Sequence, residues 1–130
     1  WNTLRKQIGI VALGTDFPVE AIDPLATYYA AVVRKYRDGS EIIGSPKEEA
    51  LSPRDALLGM TLWNAMSTFT ENELGTIETG KRADFSVVDR DLLKAGEEGL
   101  RKATVMATNR PPMVRARAGI SALVARPTET

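Results

Sequence analysis

The chain has 130 residues, with 17 Lys and Arg balanced by 17 Asp and Glu, and it contains neither His nor Cys. One domain with a real core fits that length, whereas a complete (β/α)8 barrel needs about 250 residues; the missing Cys removes disulfides, thiolate metal sites and thiol nucleophiles, and the missing His removes Ser-His and Cys-His catalysis and imidazole ligands. A metal held by this chain alone must therefore use oxygen ligands, which favours Mg2+ or Ca2+ over Zn2+, and the zero net charge offers no overall field to nucleic acid or to an anionic membrane.

The first residues are Trp1-Asn2-Thr3-Leu4-Arg5-Lys6-Gln7, of which Leu4-Arg5-Lys6-Gln7 read as the end of a helix with cations at its C-terminal pole. They lack the apolar core of a signal peptide, and the longest apolar run, residues 8–13, is too short to span a bilayer, so a cytoplasmic setting is the expectation. A chain that starts on Trp within a helix also reads as a piece of something longer. Residues 8–13, Ile-Gly-Ile-Val-Ala-Leu, form a short β-branched run without polar alternation, the pattern of a strand buried on both faces in a parallel sheet. Gly14-Thr15-Asp16 ends that strand in a carboxylate, and Phe17-Pro18 stops it. Asp23-Pro24 predicts a helix start, with Asp as N-cap and Pro at the first helical position. That helix is expected to reach about Tyr36, burying Leu25, Tyr28, Tyr29, Val32 and Tyr36 on one face.

A polar loop covers residues 38–51. Ser52-Pro53-Arg54-Asp55 predicts the next helix, with Ser52 as cap and Asp55 bonding back in a capping box. The helix runs through Leu57, Leu58, Met60, Leu62, Trp63 and Met66 and is apolar nearly all round, which suits burial in a larger body. After Phe69 the texture becomes that of an all-β segment. Strands are expected over 83–89, 103–108, 113–116 and 120–124, with residues 91–102 readable as loop or as a short helix broken by Gly96 and Gly99, and a turn at Asn109-Arg110-Pro111-Pro112.

Three motifs bear on chemistry. Gly75-Thr76-Ile77-Glu78-Thr79-Gly80-Lys81-Arg82 nearly spells a phosphate-binding loop, but Arg82 stands where a hydroxyl must bind Mg2+ and a strand follows where a helix should start. It reads as a turn between strands. Asp89-Arg90-Asp91 fails as a calcium loop because Leu93 and Lys94 occupy the next ligand and Gly positions, leaving a solvated strand end. Asp16 is the serious candidate: a carboxylate just past a buried parallel strand sits at the sheet edge where barrels build catalysis, and such a group binds metal and takes protons. Strand ends also carry Asp for turns alone. Tyr28, Tyr29, Met60 and Trp63 are candidates to line a pocket, although their helical spacing suits a core equally.

Two stretches together resemble the C-terminal part of a metal-dependent amidohydrolase. Val11-Ala12-Leu13-Gly14-Thr15-Asp16-Phe17-Pro18-Val19-Glu20, followed by Ile22-Asp23-Pro24-Leu25, resembles the last barrel strand and loop of the family 3 branch, which includes enzymes cleaving N-substituted formamides. Residues 57–64, followed by Leu74-Gly75-Thr76-Ile77-Glu78-Thr79-Gly80-Lys81-Arg82-Ala83-Asp84-Phe85-Ser86-Val87-Val88-Asp89, resemble the signature with which that family leaves its barrel for a small β-sandwich. The resemblance implies a (β/α)8 barrel, a sandwich built from both chain ends, and one or two divalent metals, usually zinc, held by histidines from earlier strands and often by a lysine that is carboxylated in some members. It implies that Asp16 is a metal ligand and moves the proton in hydrolysis, and that the segment from Gly75 to Asp89 is structural. The sequence departs from the pattern in having no histidine and in carrying Asn109-Arg110-Pro111-Pro112 where a Gly-rich turn is usual.

The expectation is an α/β chain: residues 1–69 are the last strand and helices of a (β/α)8 barrel, and residues 70–130 are part of a β-sandwich and a tail, so that the piece alone looks α+β. Its function is that of a fragment of a metal-dependent hydrolase acting on a non-peptide carbon–nitrogen bond, inactive alone and binding no metal alone. Its partners are a small-molecule amide in the parent, and either the missing N-terminal barrel portion or a second copy; nucleic acid and membrane are not expected. The alternative is a stand-alone, non-catalytic interaction or oligomerisation module, in which the apolar helix and the unpaired strand are covered by a partner.

Overall fold

The computed structural model describes residues 1–110 and the backbone of Leu123–Ala125. Helix α1 (Asn2–Ile8) closes on Gly9, which adopts a left-handed conformation (φ 86°) and donates its N–H to the Arg5 carbonyl at 2.9 Å. Arg5 and Lys6 lie in the last turn, as the helix dipole favours. Ile8 thus belongs to this helix, and the strand expected over 8–13 is corrected: residues 10–16 join no ladder among the described residues. A parallel strand exists only against neighbours, and none of the described residues supplies one.

Helix α2 (Pro24–Val33) starts as its sequence dictates. Asp23 accepts from the Leu25 N–H at 3.0 Å, and Pro24 fills the first turn, where its missing N–H costs nothing. The helix ends earlier than expected, because Arg34 turns left-handed (φ 65°) and caps Ala30 at 3.1 Å. Tyr36 therefore leaves the buried face and is 46% exposed, whereas Leu25, Tyr28 and Tyr29 are buried. A loop containing one 3-10 turn (Lys47–Glu49) leads to Ser52, whose hydroxyl accepts from the Asp55 N–H at 3.0 Å. The Asp55 carboxylate does not complete a capping box; it pairs with Arg5 at 3.4 Å.

The single helix expected over 57–66 is two: α3 (Pro53–Met60) and α4 (Leu62–Ser67). They part at Thr61 (φ −125°, ψ −91°), whose hydroxyl donates to the Leu57 carbonyl at 2.8 Å. The Gly59 carbonyl, which a continuous helix would use internally, instead accepts from the Leu13 N–H at 2.9 Å. Nor is the pair buried all round, since Met66 is exposed and Leu57 and Met60 are half-buried.

Residues 70–84 are turns. Gly75 (φ 92°) lies against α4, where a Cβ would meet the Leu62 Cα at 2.8 Å, so only glycine suits both the conformation and the contact. Strand β1 (Phe85–Val88) follows, then a short helix α5 (Glu97–Arg101) and strand β2 (Val105–Asn109). Of residues 91–102, those at 91–96 are turn and loop and only Glu97–Arg101 are helical, with Gly96 at the cap and Gly99 inside the helix and not breaking it. With β3 (Leu123–Ala125) the sheet has the order β2-β1-β3. β1 and β2 are antiparallel, pairing Phe85 with Asn109 and Val88 with Val105 across a bulge at Val87/Val88; β1 and β3 are parallel, pairing Ser86 with Leu123. The strand expected over 113–116 lies outside the described residues; β3 overlaps the end of that expected over 120–124.

One core joins the helices to the sheet. Leu13, Leu25, Tyr28, Tyr29 and Ala56 pack in the same cluster as Val88, Leu92, Leu100 and Ala103. Polar links reinforce it. The buried Tyr28 hydroxyl reaches the Leu92 carbonyl at 2.9 Å and the Pro53 carbonyl at 3.1 Å. The Arg37 guanidinium binds Asp23 at 2.8 Å and the carbonyls of Arg101 and Ala103.

Candidate active-site loop and neighbouring cavity

Asp16 closes the 10–16 segment in a left-handed conformation (φ 54°), which Asp tolerates better than most residues. Its carbonyl accepts from the N–H groups of Val19 (2.9 Å) and Glu20 (3.4 Å), folding the chain into a tight turn through the cis Phe17–Pro18 peptide. Its carboxylate is exposed and makes no hydrogen bond or ion pair among the described residues. Three large apolar side chains follow it into solvent: Phe17 is 62%, Val19 79% and Ile22 74% exposed. Residues 14–22 pack into no core; the loop is tied to the body at Leu13 on one side and at Asp23 on the other.

The Leu13 tie is double. Its N–H donates to the Gly59 carbonyl at 2.9 Å, and its carbonyl accepts from the Asn64 side-chain amide at 2.7 Å. Close approach requires glycine at 59, because a Cβ would lie 2.7 Å from the Val11 carbonyl oxygen and 2.9 Å from the Leu13 Cγ. Sequence reasoning missed Gly59 and Asn64. A glycine within a helical pattern at 59 is the available signal, since such a glycine often marks a close backbone approach.

The described residues hold no group of three or more His, Cys, Asp or Glu side chains placed to bind a metal. Asp16 offers a single carboxylate, whereas a metal centre takes several protein ligands, so these residues do not make a metal site by themselves.

A cavity of about 570 Å3 opens between the helices and the sheet. Leu25, Tyr28, Leu57, Met60, Phe85 and Val105 are among its lining residues. Tyr28 and Met60 thus line a pocket, while Tyr29 and Trp63 are core residues. Asp16 is not on the cavity wall, so the structure does not join the sequence candidate to it.

The two rejected motifs prove to be structural. The Lys81 ammonium reaches the Thr76 hydroxyl at 2.5 Å and the Glu78 carboxylate at 3.4 Å, holding the turn together before β1. Asp89 is no solvated strand end. It is half-buried, takes both Nε and Nη2 of Arg90 (2.8 and 2.6 Å) and accepts the Thr104 N–H at 3.0 Å. The Arg90 guanidinium, bonded directly to the carboxylate, holds its pKa well below the usual range despite partial burial.

Residues 1–124 match the model of the amidohydrolase family, and the chain belongs to that family. It is 32% identical over 98 residues to an N-substituted formamide deformylase of Arthrobacter pascens, a match covering 75% of this chain and 18% of that protein. It is 37% identical over 91 residues to Protein LONG AFTER FAR-RED 3 of Arabidopsis thaliana, covering 68% of this chain and 15% of that protein. A Bacillus subtilis (strain 168) protein named as an amidohydrolase, YtcJ, is 32% identical over 91 residues, covering 70% and 17%. The chain thus spans less than one fifth of the length of these relatives. No solved structure matches it significantly.

Proposed function

We propose that these residues are the C-terminal part of a metal-dependent hydrolase that cleaves a non-peptide carbon–nitrogen bond, with Asp16 in its active site. The observation that carries the reading is Asp16 itself: a solvent-facing carboxylate that has no partner among the described residues, on a loop tied to the body at Leu13 and Asp23. Asp23 and Asp89, by contrast, are held in the fold, one capping α2 and the other paired with Arg90. The family supports the hydrolytic class, and the name of the Arthrobacter relative supports an amide substrate. In this reading residues 10–16, which join no ladder among the described residues, would pair as the last strand of a (β/α)8 barrel only beside neighbours outside them, and residues 70–130 would belong to a β-sandwich.

Asp16 would be one ligand of a divalent metal, zinc being the usual ion, with the other ligands supplied from outside these residues. Such an ion polarises a carbonyl and acidifies water. The part played by this chain is proton transfer: the Asp16 carboxylate accepts a proton from the attacking water and returns it to the leaving nitrogen.

The test is Asp16→Asn in the full-length enzyme. Loss of a general base lowers turnover by about 10^2- to 10^4-fold, and circular dichroism should be unchanged because the side chain packs against nothing. Near-normal turnover refutes the assignment. The isolated 130 residues should neither hydrolyse amides nor bind zinc stoichiometrically, and either activity would refute the reading of this chain as an incomplete site. A second reading, a stand-alone interaction module, draws on the exposed Phe17, Val19 and Ile22. The intact mass of the native gene product separates the two.

A further inference from the structure

We propose that Asn64 is a positioning residue that sets the place of the Asp16 carboxylate through the backbone of Leu13; the inference rests on the role proposed above for Asp16. None of residues 14–22 belongs to the core cluster, eight of the nine are exposed, and apart from turn bonds within the loop they have no hydrogen-bonded support among the described residues. Where Asp16 sits is therefore decided where the loop enters the body. That entry is Leu13, three residues upstream, a reach of about 10 Å for extended chain.

Both polar groups of Leu13 are fixed by the helix pair. The N–H goes to the carbonyl of Gly59 on α3, and the carbonyl takes the Asn64 amide from α4. The first bond comes from a backbone group and is available to any residue at 59 that fits. The second depends on one side chain. Asn64 is half-buried, it sits on a helix that carries the buried Trp63 and Ala65, and its donor reaches Leu13 at 2.7 Å. Without it the Leu13 carbonyl keeps no partner among the described residues at the point where the chain turns out of the core, and the loop is free to pivot about the Gly59 bond. A displacement of about 1 Å in a reacting group is enough to cost about 10^2-fold in rate.

The downstream tie does not substitute. Asp23 is held by Arg37 at 2.8 Å and caps α2, but six residues separate it from Asp16, among them the exposed Phe17, Val19 and Ile22.

The experiment is a double-mutant cycle in the full-length enzyme, with kcat, KM and Tm measured for Asn64→Leu, Asp16→Asn and the double variant. Asn64→Leu keeps the side-chain size and removes the donor. It is expected to lower kcat by about 10- to 100-fold while KM changes by less than about threefold. In the Asp16→Asn background the same substitution should add less than about twofold, because residues acting through one another are not additive. Unchanged kcat in Asn64→Leu overturns the proposal, as does an equal further loss in the Asp16→Asn background, which would mark a general structural role. Asn64→Asp, of the same shape but facing the carbonyl with an acceptor, should reproduce the loss; if neither variant yields a folded enzyme, Asn64 is a support of the fold and the proposal fails. A near-normal Asp16→Asn enzyme overturns both readings, whereas an inactive Asp16→Asn enzyme beside an unimpaired Asn64→Leu enzyme overturns this one alone.

Discussion

Gly59→Ala tests whether the close approach of α3 to the Asp16-bearing segment is as tight as described. In an ordinary helix this substitution stabilises by about 1 kcal/mol, through lower backbone entropy in the unfolded chain. Here the new Cβ would lie 2.7 Å from the Val11 carbonyl oxygen and 2.9 Å from the Leu13 Cγ. Neither neighbour moves cheaply, since one is backbone and the other a buried side chain. Overpacking of this kind costs about 1–3 kcal/mol, and pushing Leu13 away from the Gly59 carbonyl forfeits a hydrogen bond worth about 0.5–1.5 kcal/mol. The costs exceed the gain, so a net loss of about 1–3 kcal/mol is expected. Urea denaturation followed by far-UV circular dichroism reads it as a lower midpoint at unchanged m-value. Gly14→Ala is the internal control: it lies in the same segment, meets nothing within 4 Å and has no positive φ, so it should be neutral or slightly stabilising. A midpoint for Gly59→Ala equal to or above that of the parent would refute the packing argument.

Tyr28→Phe removes a buried hydroxyl that serves the Leu92 and Pro53 carbonyls, and a loss of about 1–2 kcal/mol in the same urea assay is expected; no loss would show that water replaces the hydroxyl. Asp89→Asn breaks the charged pair with Arg90 and should cost about 1–3 kcal/mol at pH 7, read from the same denaturation curves. Because the folded pKa of Asp89 lies below its unfolded value, its contribution is complete above about pH 5 and is lost as pH falls further, through the unfolded and then the folded pKa. Between about pH 5 and pH 3 the Asn variant should therefore lose less stability than the parent, and parallel curves would refute the assignment.

The local signals in the sequence were strong where a side chain acts on its own backbone. Asp23-Pro24 and Ser52-Pro53 start α2 and α3 at the expected residues, and the strand-forming run before Asp89 becomes β1. Tertiary contacts decided the rest. Tyr36 fits the α2 pattern, but the left-handed turn at Arg34 ends the helix first. Residues 57–66 read as one helix because nothing local reveals that the Gly59 carbonyl is taken by Leu13. The candidate site was legible only as one carboxylate. Its supports, Gly59 and Asn64, lie far along the chain, and only folding brings them to Leu13. Asp89 reads as a solvated strand end because only one of its partners, Arg90, is its neighbour in sequence; the other, Thr104, is brought to it when the chain returns toward β2.

The shared core has a consequence for how this chain could be divided. A change in texture near residue 70 marks a boundary of composition, yet Tyr28 and Arg37 reach across it to Leu92, Arg101 and Ala103, and Leu13 and Leu25 bury themselves in the same cluster as Val88 and Leu100. Neither side closes its own interior. The helices and the sheet therefore share one interior, and exchanging only one side would leave apolar and polar groups of the other without the partners they have across that seam.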